Sequence, residues 1–395
     1  MPRSYLRKLK ILEVFQKIVL KRALLCMVKT NPHDHTLYKL RLQELEKLAE
    51  VAGYKVVERV VQVRWREHSS FCVGKGKVDE IKDLIRDKNI DIVIFYNILK
   101  SNQKYNLEKA FEVQVIDRYD LILEIFDKSA SDKISKLQIE LARLTKAFPY
   151  EKLKAGIRYL TEHPGKKSMG EYAYHSVIKQ LRKRIKRVKS ELGVLREIHE
   201  KRIRERKEKG KPIICLTGFY GAGKTSIFNR LTGLSKPVTG RPFTTLSSKY
   251  YLINNHTLEM FIIDTIGFAL DLDPRLVESF NLTLNDIKAS DIVLLIVDIS
   301  DPIGILLLKL KTSLQILRDL GVTHDKIILV LNKIDKINES EIKKKIVFLH
   351  GYISVFEYVL VSAKTGEGFE DLLNKIYRKL YETKPALLQV ASDTT

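Results

Sequence analysis

Ile213-Ile214-Cys215-Leu216-Thr217-Gly218-Phe219-Tyr220-Gly221-Ala222-Gly223-Lys224-Thr225-Ser226 is the stretch that decides the fold. An apolar run, Ile213 to Leu216, reads as a buried strand. Ser226 to Leu231 reads as a helix. Between them Gly218 to Thr225 spells a glycine-rich loop, in the strand–loop–helix order that a phosphate-binding P-loop requires. The glycines let backbone N–H groups of Gly218, Phe219, Tyr220, Gly221, Ala222 and Gly223 turn toward a polyphosphate, and the helix start adds its positive dipole end. Lys224 is placed to reach the outer phosphates, and the Thr225 hydroxyl, followed by Ser226, is placed to hold Mg²⁺.

A second strand, Ile327 to Leu331, delivers Asn332-Lys333-Ile334-Asp335 at its carboxyl end, where open α/β sheets bind ligands. The Asp335 carboxylate can accept two hydrogen bonds from the N1–H and N2–H₂ edge of guanine. Adenine lacks that donor pair, and a site built on such bonds rejects the wrong base strongly. A third strand, Tyr358 to Val361, ends in Ser362-Ala363-Lys364, a tripeptide that commonly braces the base from its far side in GTPases.

Between these segments an apolar strand ends in Asp264-Thr265-Ile266-Gly267-Phe268. Asp264 can hold Mg²⁺ through a water, and the Gly267 N–H can approach the γ-phosphate because no side chain blocks it. Upstream lies the loop Pro242-Phe243-Thr244-Thr245-Leu246. A threonine there, Thr245 in preference to Thr244, can add a second hydroxyl to Mg²⁺ while the γ-phosphate is present, and losing that phosphate releases the loop. The expected nucleotide site thus includes Phe243, Thr244 and Thr245, with Lys224, Thr245 and Gly267 as catalytic residues and Thr225, Thr245 and Asp264 as metal ligands. Phe268 stands where Ras-like GTPases carry a water-orienting glutamine. It cannot hydrogen-bond, so hydrolysis should be slow without a partner; it also reads as a core aromatic.

Asp264 to Phe268 followed by Leu276-Val277-Glu278-Ser279-Phe280-Asn281-Leu282-Thr283-Leu284 resembles the HflX family of GTPases. The N-terminal half agrees in Gly74 to Lys77, Asn102 to Glu108, Val115 to Arg118, Ile122 to Phe126 and Lys136 to Ala142. The similarity runs from about residue 22 to about 380. It implies a cytoplasmic GTPase, using GTP and Mg²⁺ and leaving GDP, that binds the large ribosomal subunit and can split or rescue ribosomes. Two departures stand out. The family usually has Asn at the position of Gly221, a residue linked to potassium assistance, so potassium dependence is doubtful. Its Gly-Pro-Gly-Glu-Thr-Gln-Leu stretch survives only as a remnant near Gly165 to Glu171, which points to a divergent, archaeal branch.

A chain of 395 residues exceeds one ordinary domain. Its 70 Lys and Arg against 48 Asp and Glu give +22, which points to a polyanionic partner. From Glu151 to Gly210 there are 19 Lys and Arg against 8 Asp and Glu, so half the excess sits in one segment. The three cysteines, Cys26, Cys72 and Cys215, lie in or beside apolar runs and read as reduced core residues. His33-Asp34-His35 lies in a polar loop with little sign of metal binding. No apolar stretch approaches the roughly 18 residues that span a membrane.

The organisation expected is α/β: a P-loop GTPase domain, an N-terminal parallel α/β domain and an antiparallel helical hairpin. Residues 1–21 read as an extension and 22–130 as the N-terminal domain, with strand–helix alternation from Ala23 to Ile116. Residues 131–210 read as a basic hairpin arm, 211–384 as the GTPase domain and 385–395 as a loose tail. In the arm, Ile134, Leu137, Leu141 and Leu144 face Ile178, Leu181, Ile185, Val188, Leu192 and Leu195 in a heptad seam, across a loop around Pro149 to Met169. The outer face carries Arg182, Lys183, Lys186 and Arg187, suited to RNA phosphates. The protein is expected to be monomeric off the ribosome. Rival readings are a ribosome-assembly or RNA-remodelling GTPase, and a nucleotide-gated RNA-binding module whose turnover is incidental.

Overall fold

The computed structural model describes residues 20–162, 169–208, 210–235, 249–255, 258–265 and 267–383. The loop at 242–246, the remnant at 165–168, nearly all of the extension at 1–21 and the tail at 385–395 lie outside them. The chain parts into two compact units, residues 1–125 with 148–175, and 126–147 with 176–395.

In the first unit, β1 (Lys21–Lys29), α1 (Leu37–Val51), β2 (Tyr54–Val63), α2 (Lys75–Asp87), β3 (Ile92–Phe95), α3 (Ser101–Phe111) and β4 (Gln114–Asp117) alternate. The strands form one parallel sheet ordered β2-β1-β3-β4. Parallel neighbours need a crossover, and α1, α2 and α3 supply one each. Leu24, Leu25, Val93 and Ile94 are fully buried, as strands covered on both faces require. The expected extension at 1–21 ends inside β1, which starts at Lys21. The sequence reading assigned no element to Arg118–Ser129, which forms α4 directly after β4. Asp117 explains it: its Oδ1 accepts from the Asp120 N–H (3.0 Å) while its Oδ2 accepts from the Leu99 N–H (2.9 Å). One carboxylate closes the sheet and caps the helix.

Two long helices follow, α5 (Lys133–Glu162) and α6 (Met169–Glu208). The expected loop from Pro149 is not there, because α5 runs through Pro149 to Glu162. Proline removes one helical N–H, and at this exposed position the remaining ladder tolerates the loss. Ion pairs Lys133–Glu191 (2.5 Å) and Arg184–Glu140 (2.7 Å) set the two helices antiparallel. Val188 and Ile178 of α6 are buried. The seam is not the only buried face, since Ile139 and Ala142 of α5 are more deeply covered than Ile134 or Leu144. The helices do not form a unit of their own: 148–175 groups with the first unit, and 133–147 with 176–208 groups with the second.

The second unit is built on β5 (Ile213–Gly218), α7 (Lys224–Thr232), β6 (Lys249–Asn255), β7 (Leu258–Asp264), α8 (Pro274–Ser279), α9 (Asn281–Ala289), β8 (Ile292–Asp298), α10 (Ile303–Asp319), β9 (Ile327–Asn332), α11 (Glu339–Ile353), β10 (Glu357–Val361) and α12 (Phe369–Thr383). Its sheet runs β10-β9-β8-β5-β7-β6 and is parallel except for the edge strand β6. After β5 the chain goes to one side, to β6 and β7, and then crosses to β8 on the other. The carboxyl end of β5 is therefore the point of reversal, where such sheets open a crevice. Cys26, Cys72 and Cys215 are free and buried.

Candidate nucleotide site

Gly218 ends β5 at φ 137°, and a Cβ there would stand 2.2 Å from the Ile296 carbonyl oxygen. Only glycine lets the loop leave the sheet so close to β8. Gly223, at φ 98°, leads into α7, and a Cβ there would strike the Asn332 Nδ2 at 2.2 Å. The intervening turn closes around Lys224, which is 9% exposed. Its Nζ donates to the Gly218 carbonyl (3.0 Å) and the Phe219 carbonyl (2.9 Å). Burial pushes the Lys224 ammonium down to about 8, opposed by the nearby Asp264 carboxylate. An ammonium held among carbonyls at a loop mouth is placed to receive a phosphate oxygen.

Asp264 ends β7 and is fully buried. The chain then turns back to the loop. Thr265 Oγ1 donates to the Leu216 carbonyl (2.8 Å), Phe268 N–H to the Gly218 carbonyl (2.9 Å), and Tyr220 N–H to the Phe268 carbonyl (3.0 Å). A Cβ on Gly267 would come within 2.9 Å of Lys224 Nζ and 3.4 Å of the Tyr220 nitrogen. A side chain at Gly267 would therefore displace the Lys224 ammonium from its place at the loop. Phe268 is 1% exposed and lines an apolar cleft with Phe126, Leu276 and Phe280. The core reading of Phe268 is the one the structure gives, and its ring offers nothing polar to a water.

At the other end of the crevice Asn332, 1% exposed, donates from Nδ2 to the Ala222 carbonyl (2.8 Å) and accepts at Oδ1 from the Ala363 N–H (3.0 Å). Asn332 spends its amide on holding the P-loop against the Ser362-Ala363 segment. Lys333, in the left-handed region at φ 72°, reaches back to the Gly221 carbonyl (2.6 Å) and to Asp298. Asp335 lies in the turn after β9 and is exposed, with Ser362 Oγ donating to its Oδ1 (2.7 Å). Lys364 is exposed.

The structure therefore brings together Gly218 to Ser226, Asp264, Gly267, Asn332 to Asp335 and Ser362 to Lys364 at the carboxyl ends of the strands of one sheet. Phe243, Thr244 and Thr245 lie outside the described residues. Arg182, Lys183, Lys186 and Arg187 are exposed on α6. Sequence reasoning missed Asp298, whose position at the carboxyl end of β8, beside β9, was the available signal. It also missed Arg230, which donates to the Thr365 carbonyl (2.9 Å) and fixes the loop after Ser362. No cluster of His, Cys, Asp or Glu suited to a metal occurs among the described residues. Oxygen donors that could hold Mg²⁺ there are the Thr225 hydroxyl and the Asp264 carboxylate, ligands of the hard type that this cation takes.

Two family descriptions match the chain: "GTP-binding GTPase N-terminal" over 39–127 and "50S ribosome-binding GTPase" over 213–333. The chain is 39% identical over 352 residues to the GTPase HflX of Thermofilum pendens, covering 89% of this chain and 82% of that one. It is 36% identical to the Thermococcus kodakarensis GTPase HflX, over 87% and 79% of the two chains. The chain belongs to the HflX family of GTPases. A bacterial HflX, from Lacrimispora saccharolytica, is 31% identical over 95% of this chain and 87% of its own. A crystal structure of a protein called SsGBP in complex with GDP superposes with a TM-score of 0.52 at 30% identity, over 91% of this chain and 98% of that one. As an HflX GTPase, the chain cleaves GTP to GDP and phosphate. No helix among the described residues is long and apolar enough to cross a membrane.

Proposed function

We propose that this HflX GTPase is a nucleotide-timed switch that binds the large ribosomal subunit through rRNA and separates or rescues ribosomes. The observation that carries the nucleotide part is the Asn332 side chain, which ties the phosphate loop to the segment bearing Asp335 and Ser362. One polar strut thus fixes the distance between phosphate and base recognition. In this reading Asp335 accepts from the guanine edge, held in place by Ser362. Lys224 and the loop N–H groups cradle the phosphates, Thr225 and Asp264 hold Mg²⁺, and Thr245 joins them when the γ-phosphate is present. Gly267, packed on Lys224, reports that phosphate to the segment after β7. Gly221 offers no side chain to a monovalent cation, and Lys333 already engages its carbonyl.

Arg182, Lys183, Lys186 and Arg187 serve as phosphate contacts to rRNA, since all four are exposed on α6, away from the buried Val188. GTP keeps the switch segments ordered and the protein on the subunit; hydrolysis releases it. The buried, apolar Phe268 favours turnover that is slow until the ribosome helps to place the water. It equally favours the rival of a GTP-gated RNA-binding module. GTP turnover measured alone, with large subunits and with an equal mass of free rRNA separates them. Strong stimulation by subunits supports the switch, and turnover indifferent to subunits overturns it. Sedimentation of intact ribosomes with the protein and GTP tests splitting.

A further inference from the structure

The chain has one tryptophan, Trp65. It is 76% exposed, more than any other large apolar side chain among the described residues. It lies just beyond β2, the edge strand of the first unit, two residues after Val63, itself 54% exposed. Leaving an indole in water forgoes one of the largest burial gains any side chain offers.

Its surroundings are cationic. Arg64 and Arg66 flank it, and neither forms an ion pair among the described residues. The Arg64 guanidinium lies against Gly74, where a Cβ would come within 2.6 Å of Nη1, and exposed Lys75 follows immediately. The acid in the same segment is turned away: Glu67 Oε1 accepts from Asn97 Nδ2 (2.8 Å). His33 makes a tilted edge contact with the indole, centroids 6.5 Å apart at 67°, and leaves most of the ring open.

We propose that Trp65 is a stacking platform for an unpaired RNA base, with Arg64, Arg66 and Lys75 on the neighbouring phosphates. Aromatic rings interleaved with cations are how proteins hold single-stranded nucleic acid, because every base has a π-face and every nucleotide a charge. A base inside a duplex is already stacked and closed to the ring, so the partner is unpaired RNA. The proposal rests on the reading of this chain as an rRNA-engaging protein, and it adds a contact in the first unit, separate from the α6 cations.

With a single tryptophan, fluorescence excited on the long-wavelength side of the absorption of the 17 tyrosines reports this site alone. A 9-nucleotide oligoadenylate should quench it saturably, and a blunt RNA duplex of the same length should quench it far less. Trp65→Ala should weaken oligoadenylate binding, followed by anisotropy of a labelled strand, by about 5- to 150-fold. Trp65→Phe should recover most of the loss. Arg64→Gln with Arg66→Gln should flatten the salt dependence while quenching at saturation persists. Equal quenching by duplex and single strand, or wild-type affinity in Trp65→Ala, overturns the proposal. So does a fluorescence shift with anionic lipid vesicles and none with RNA. Large-subunit sedimentation in GTP is run in parallel. If the wild-type chain sediments but oligoadenylate leaves the fluorescence unchanged, the Trp65 proposal fails alone; if it does not sediment, the reading beneath it fails.

Discussion

Asn332 and Asp335 are three residues apart and do different work. A strand ending in Asn332-Lys333-Ile334-Asp335 reads as one nucleotide-recognition unit, and in the fold Asn332 is in addition a strut between Ala222 and Ala363. The hydrogen bonds from Asn332 to Ala222 and Ala363 are separated by 110 and 31 residues in sequence, and no local pattern announces partners so distant. Asp335, exposed and braced by Ser362, keeps the base-reading role as proposed. Asp335→Asn should weaken GTP by about 10- to 150-fold, the worth of a charge-assisted hydrogen bond of about 1.5–3 kcal/mol. It should favour xanthosine triphosphate, whose N1–H and O2 edge suits an amide; equilibrium titration of both nucleotides checks this. Lys224 gives a pH prediction. Its pKa is about 8 because the ammonium is buried, and a bound phosphate raises it by supplying a counter-charge. The protonated form is then favoured by the complex. Affinity for GDP should be level below pH 8 and fall above it, by up to about tenfold per pH unit. In Lys224→Ala affinity should be lower throughout and lack that fall, as titration from pH 7 to 9.5 would show.

At the scale of elements, strand–helix alternation was legible because buried parallel strands are continuous apolar runs. The alternation expected from Ala23 to Ile116 appears as β1 to β4 with their three crossover helices. The misses have different causes, a polar cap in one case and a tolerated proline in the other. Asp117 starts α4 where the sequence shows only a strand end, and α5 carries Pro149 without stopping. The heptad seam of α5 and α6 was legible because its period is geometric. Its outer cations give a third prediction. Replacing Arg182, Lys183, Lys186 and Arg187 with Gln should leave GTP binding intact and weaken large-subunit binding. The log–log salt slope should fall by roughly 0.7–0.9 for each rRNA phosphate no longer neutralised, measured by sedimentation across a salt series. Wild-type affinity and slope would mark these four as a solvated face.

For the molecule as a whole, composition indicated several domains and a polyanionic partner, but not where the chain divides. Residues 131–210 looked like a separate arm because their periodicity and charge change together. Packing divides them otherwise, since periodicity reports a helix's face and not which core receives it. The GTPase unit takes in residues well before Lys211. Phe126 meets Phe280 with ring centroids 4.7 Å apart, and Ile203 is buried with Ile213 and Ile263. His199 Nε2 and the Tyr250 hydroxyl both contact Asp286 Oδ1 at 2.7 Å, and Arg206 lies 3.9 Å over the Tyr250 ring. A fragment of residues 211–384 lacks every one of these N-terminal partners. It should melt well below the full chain and bind a hydrophobic dye, whereas 126–395 retains them; thermal unfolding of both would show the difference. The same division bears on inheritance. The chain passes between its units at 125/126, 147/148 and 175/176. A gene fusion with its breakpoint at codon 210 would part Phe126, His199, Ile203 and Arg206 from the core they complete.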